Sequence, residues 1–118
     1  SNNDRFLRKD TLQGFVHDEA SAFFGGLAGN AGLFSTAREV ARVYQMLLNG
    51  GEIDGRRYLS KETCQLFTTS VSKISRRGLG FDKPDREDSK KGNCAPDAPA
   101  EVYGHTGFTG TCAWVDPG

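Results

Sequence analysis

The sequence lacks the features that mark membrane, nucleic-acid and disulfide-stapled proteins. Fifteen basic and fifteen acidic residues cancel to a formal net charge of zero, so no overall field draws in nucleic acid or anionic lipid. No apolar run approaches the ~20 residues of a membrane-spanning helix, and no signal-peptide pattern opens the chain. Cysteine is scarce and odd in number, with Cys64, Cys94 and Cys112 showing no C-x-x-C spacing. The two histidines, His17 and His105, lie too far apart in sequence to suggest a zinc site. The cysteines therefore read as free thiols with Cys64 and Cys112 buried, a disulfide from Cys94 being the alternative. There is no initiator methionine, and Asp116-Pro117-Gly118 is a turn signal that normally leads into a partner strand. Both ends predict a piece of a longer protein. Eight phenylalanines and 36% hydrophobic residues nonetheless predict a globular chain of about one small domain.

Along the chain, residues 1 to 14 read as an irregular lead-in anchored by Phe6, Leu7 and Leu12. A glycine-rich passage with Gly25, Gly26, Gly29 and Gly32 follows, and its small residues and Phe pair predict a tightly winding loop. Thr36 with Glu39 fits a capping box. Val40, Val43, Tyr44 and Leu47 then recur at helical spacing, which predicts a core-packing helix stopped by Asn49-Gly50-Gly51. Asp54-Gly55 is a two-residue hairpin signal. Ser60 is placed to cap a second helix over roughly 61–69. Gly78-Leu79-Gly80-Phe81 is a short strand candidate, and residues 82–100, rich in charge, Pro, Gly and Ser, are expected to be flexible. The last stretch runs from Gly104-His105-Thr106-Gly107-Phe108-Thr109-Gly110-Thr111 into an alternating strand, Cys112 to Val115. Three glycines spaced by three leave backbone bare around a histidine, which looks like the wall of a site.

Three sets of residues are candidates for chemistry. His17-Asp18-Glu19 are consecutive, so their side chains cannot converge from a regular element, and a turn or helix start is the better reading. Ser70-Val71-Ser72-Lys73 matches S-x-x-K, the nucleophile motif of penicillin-recognising enzymes. That serine must open a buried helix, whereas Ser70 lies in a polar run after a helix, so a catalytic Ser70 is discounted. His105-Thr106-Gly107 is the strongest of the three.

Here the chain resembles a family. In penicillin-binding proteins, class C β-lactamases and related esterases, a K-T-G or H-T-G triplet sits on the strand lining the active site. The run from Ala31-Gly32-Leu33-Phe34-Ser35-Thr36-Ala37 through Ala41-Arg42 to Gln45-Met46-Leu47-Leu48-Asn49-Gly50-Gly51 is similar to that family's "GGLxSTAxDLARFxxMLLNGG" segment. Arg77-Gly78-Leu79-Gly80-Phe81 is similar to its "GLGF" strand, and the order and spacing agree over roughly residues 14 to 118. Val16-His17-Asp18-Glu19 with the Gly-Phe-Thr-Gly-Thr run resembles a serine-hydrolase branch sometimes fused to a glycosidase of cell-wall recycling. One departure is Asn30, where similar sequences often carry histidine.

The resemblance implies an α+β fold, two helices with part of an antiparallel sheet, forming the C-terminal part of a single β-lactamase-like domain over residues 1–118. It implies a serine hydrolase acting on an ester, amide or β-lactam bond through an acyl-serine intermediate. By the same resemblance, Phe108 contributes its backbone N–H to an oxyanion hole. His105 and Thr106 contact the substrate, and Gly107 keeps its approach clear. The implied substrate is a small molecule or a peptidoglycan fragment, with no cofactor, metal or nucleic acid, and the location is periplasmic or secreted. The family's nucleophile helix and its Tyr-x-Asn segment are not found in these residues, so this chain alone is expected to be inactive. The alternative is a non-catalytic cell-wall binding module of the same fold. The unfinished sheet edge at Trp114 predicts either pairing with a second copy or poor order of that strand.

Overall fold

A computed structural model describes residues 2–3, 8–85 and 93–118. Its contacts group into two compact units, Ser1–Thr36 with Phe108–Gly110, and Ala37–Gly107 with Thr111–Gly118. The described residues hold three helices and three antiparallel two-stranded pairings, an α+β arrangement as expected.

In the first unit, β1 (Asn2–Asn3) pairs with β2 (Thr11–Leu12), so the lead-in is less irregular than its sequence suggests. Phe6 and Leu7 lie outside the described residues. The glycine-rich passage opens with a helix that its composition did not reveal, α1 (Glu19–Phe23). Asp18 caps it by accepting from the Ser21 amide at 2.7 Å. The helix closes with Gly26 N–H on Ser21 O at 2.7 Å and Gly25 N–H on Ala22 O at 3.0 Å. Ser21 is fully buried, and among the described residues Val16 is the buried apolar residue of this unit.

In the second unit, α2 (Ala37–Leu48) begins directly after Thr36. It ends as its sequence dictates. Gly50, at φ 65°, takes a left-handed conformation that costs a residue with a Cβ about 1 kcal/mol or more. Its amide then reaches Leu47 O at 2.9 Å while Gly51 N–H reaches Met46 O at 2.8 Å. Asp54 and Gly55, both at positive φ, turn β3 (Glu52–Ile53) back onto β4 (Arg56–Arg57). Ser60 caps α3 (Lys61–Thr68) by accepting from Thr63 N at 3.1 Å.

Residues 78–81 form no strand. The Gly78 amide folds back onto Phe81 O at 3.0 Å, and among the described residues the only ladder contact there is a single bridge from Asp82 to Gly104. Of the segment expected to be flexible, residues 86–92 lie outside the described residues, whereas Asp82, Lys83 and Pro84 are buried. The chain finishes in a hairpin, β5 (Tyr103–Thr106) against β6 (Cys112–Val115).

The core of this unit is Cys64, Val102, Tyr103 and Val115, with the Phe81 ring 5.9 Å from Tyr44 and 5.2 Å from Tyr103. Burial raises the pKa of both tyrosines above the ordinary phenol value, and for Tyr103 the neighbouring Cys64 and Tyr44 add to it. Two expectations are corrected. The α2 helix is amphipathic but buries none of its residues, and Val43 is 55% exposed. Its Tyr44 meets the Phe81 ring, and Val40, Met46 and Leu47 are half-buried, but none of the helix is fully covered among the described residues. All three cysteines are free and Cys64 is buried, but Cys112 is exposed.

Candidate active-site strand

The register of β5 decides which backbone groups are available. Asp82 N–H donates to Gly104 O at 2.7 Å and Gly104 N–H to Asp82 O at 3.1 Å. Gly104 therefore points its amide and carbonyl away from β6, and alternation sends those of Thr106 the same way. Tyr103 and His105 face β6, opposite Val115 and Ala113. Gly107 N–H returns to that side, onto Thr111 O at 2.6 Å. The Asp82 contact ends at Gly104, so the edge beyond it has no partner strand among the described residues. Gly104 has no substitute here: a Cβ would strike the Ala113 carbonyl and the Trp114 ring.

Of the triplet, His105 and Thr106 lie on this strand and Gly107 directly follows it. His105 is exposed and Thr106 half-buried. His105 Nδ1 lies 2.6 Å from Thr106 O, and its Nε2 lies 3.2 Å from an Arg77 guanidinium nitrogen. Behind them is a charged cluster that sequence reasoning missed. Asp82, only 1% exposed, accepts from Arg76 Nη2 at 3.0 Å and from the Lys83 amide at 2.9 Å. Arg76 Nε also lies 2.9 Å from its carboxylate, and Arg77 Nε 3.9 Å away. Burial alone would raise the Asp82 pKa, but Arg76, the Lys83 amide and Arg77 together hold it below the usual carboxylate range. Asp82 in turn raises that of Arg76. Lys83 Nζ donates to Thr68 O and Glu101 O, each at 3.0 Å. The Arg76-Arg77 doublet five residues before an Asp was the one visible signal, and a pair of arginines in a polar run does not announce a buried partner.

Phe108 belongs to the first unit. Its ring is 88% exposed, yet it meets His17 at 5.4 Å between ring centroids. Arg8 secures the His17 segment by donating to Val16 O at 2.8 Å and His17 O at 2.7 Å. The three residues of the H-D-E run do separate jobs: His17 faces Phe108 and Asp18 caps α1 with Glu19 as its first residue. Among the described residues no cluster of three or more metal-ligating side chains occurs. Asn30 sits inside a closed network, accepting from Ser21 Oγ at 3.0 Å and donating to Asp18 Oδ1 at 3.1 Å. The Ser21 amide and hydroxyl and Asn30 lower the Asp18 pKa.

Ser70 follows the end of α3 rather than opening a helix, and its hydroxyl donates to Ser75 O at 3.2 Å. Its geometry supports the discount made from sequence. A groove of about 850 Å³ in the second unit is lined by Leu47, Cys64, Ser70, Lys83 and Tyr103 among others. None of His105, Thr106 and Gly107 lines it.

The family model described as Beta-lactamase matches residues 3–118, and the chain belongs to that family. It is 38% identical over 112 residues to "Putative D-alanyl-D-alanine carboxypeptidase" of Escherichia coli (strain K12), covering 94% of this chain and 26% of that protein. It is 38% identical over 113 residues to "N-acetylmuramyl-L-alanine amidase" of Bacillus subtilis (strain 168), covering 94% of this chain and 25% of that one. A Salmonella gallinarum protein described in the same words as the first is 36% identical over 112 residues, covering 94% of this chain and 26% of it. The chain thus spans about a quarter of the length of these relatives. No solved structure matches it.

Proposed function

We propose that this chain supplies the substrate-binding strand and half of the oxyanion hole of an acyl-serine hydrolase that opens an ester, amide or β-lactam bond. The observation that carries the reading is the β5 edge at Thr106, which has no partner strand among the described residues, inside the H-T-G triplet of a β-lactamase-family chain. An extended substrate docks along that edge as an added strand would. A serine from outside these residues attacks the carbonyl, forming a tetrahedral oxyanion. The Phe108 N–H donates to that oxygen together with the nucleophile's own amide. The leaving group departs to give the acyl-serine, which water then hydrolyses. Thr106 contributes a hydroxyl on the substrate side, and Gly107 admits the substrate because no Cβ stands in the way.

The relatives' names, a carboxypeptidase and an amidase, favour a peptidoglycan-derived substrate, and a periplasmic or secreted location accompanies it. The nucleophile and its base lie in a part of the domain that these residues do not contain, so the chain alone is inactive. Among the described residues no helix is long and apolar enough to cross a membrane.

The test uses the full-length protein and a chromogenic ester or cephalosporin. Phe108→Pro removes the amide proton and lowers kcat by about 100-fold or more, the cost of losing one oxyanion donor. Phe108→Ala keeps that proton and stays within about tenfold of the parent. Equal losses in the two variants would remove the oxyanion role. Ligand binding with no turnover in the parent would favour the non-catalytic binding module instead.

A further inference from the structure

The contact between Arg77 and His105 says more than that two side chains are close. A guanidinium has only donors, so the bond at 3.2 Å requires a lone pair on His105 Nε2. The ring proton then sits on Nδ1, and it is Nδ1 that lies 2.6 Å from the Thr106 carbonyl. One neighbour donates and the other accepts, and only a single tautomer satisfies both. An imidazolium in this place would set N–H against N–H.

Arg77 is itself held. Its Nε lies 3.9 Å from a carboxylate oxygen of buried Asp82, and Asp82 is bonded through its backbone to Gly104, one residue before His105. The segment from Arg77 to Asp82 therefore grips β5 twice, by main chain at Gly104 and by side chain at His105. Of the neighbouring cations, Arg76 lies against Asp82 and Asp85, with its Nη1 3.8 Å from Asp85, and Lys83 Nζ donates to the Thr68 and Glu101 carbonyls.

We infer that Arg77 is the positioning residue of this strand: it fixes His105 as the Nδ1–H tautomer that clamps the Thr106 carbonyl, and its guanidinium, not the imidazole, presents positive charge to a carboxylate-bearing substrate. His105 then has no free lone pair with which to act as a base. Its part is to brace the strand edge and relay the orientation of Arg77. The tautomer rests on geometry alone, whereas the substrate clause rests on the hydrolase reading proposed above.

Two measurements keep these apart. Long-range proton–nitrogen NMR of the ¹⁵N-labelled chain reads the protonated ring nitrogen of each histidine directly, and His17→Gln assigns His105 by elimination. The expected result is a proton on Nδ1 in the parent and a move to the Nε2–H form in Arg77→Ala. Arg77→Lys, which also only donates, restores the Nδ1–H form. A parent ring protonated on Nε2, or an Arg77→Ala spectrum unchanged from the parent, overturns the inference. The parent spectrum alone can do so even if Arg77→Ala fails to fold. In the full-length protein, Arg77→Ala raises KM for a carboxylate substrate by about tenfold, as expected for one charged hydrogen bond. It leaves KM for the matching carboxamide within about twofold. Equal KM changes for the two substrates overturn the charge assignment. A full-length protein that turns over no substrate refutes the hydrolase reading while leaving the NMR result to decide the tautomer.

Discussion

Asp82→Asn is the substitution to which the second unit is most exposed. The carboxylate is 1% exposed and holds Arg76 through both oxygens, at 2.9 and 3.0 Å, while one oxygen also takes the Lys83 amide at 2.9 Å. Asparagine has nearly the same shape but offers N–H to a guanidinium that can only donate, leaving a buried donor against a donor. Breaking a buried pair costs about 3–5 kcal/mol. The Arg76 side chain is 34% exposed and recovers some hydration, which puts the expected loss near 3 kcal/mol. Small domains are stable by only about 5–15 kcal/mol. With a urea m-value of about 1.5–3 kcal/mol/M, the midpoint falls by roughly 1–2 M. Urea unfolding followed by Trp114 fluorescence measures this, because Trp114 sits opposite Gly104, the residue bridged to Asp82. A midpoint shift below about 0.3 M with unchanged m would refute the claim that this pair holds β5 to the preceding segment.

Four further outcomes follow from the same contacts. Asp54→Asn removes an exposed ion pair with Arg42 and should cost under about 1 kcal/mol, a control for the Asp82 result in the same urea series. The Asp82 pKa is lowered on folding, so its stabilisation is complete above the unfolded Asp value of about 3.9 and is lost as pH falls through the folded value. Unfolding midpoints should drop in that window for the parent and much less for Asp82→Asn. Gly104→Ala drives a Cβ into the Ala113 carbonyl and the Trp114 ring; calorimetry should show a loss of about 1–3 kcal/mol together with faster amide exchange at Asp82. Ser60→Ala removes the acceptor for the Thr63 amide and should cost about 1 kcal/mol by chemical denaturation.

Local chemistry made much of the fold legible. The capped helix α3, the Asp54-Gly55 turn and the glycine stop after Leu48 are each fixed within a few residues, and each formed as expected. The last strand was legible for the same reason, because Cys112 to Val115 alternates and a turn signal ends it. What sequence could not show depended on partners far away in the chain. A short helix over Glu19–Phe23 needs only one cap and buried Ser21, and its glycines read as loop. The Gly78–Phe81 run lost its strand because the bridge to β5 is made one residue later, at Asp82.

Amphipathicity predicted that α2 has a face to bury, not that a partner lies within these residues, and Val43 remains 55% exposed. The site divides in the same way. Glycine spacing marked His105 to Phe108, but Arg77 lies 28 positions from His105 and only the folded register brings the two together.

The central claim is that the binding strand is here and the nucleophile is not. Labelling the full-length protein with a fluorescent penicillin or an acyl-serine probe, followed by peptide mapping, tests it directly. The label should fall on a serine outside these 118 residues, and the isolated chain should take up none. A label on Ser70, in either form of the protein, would contradict the account.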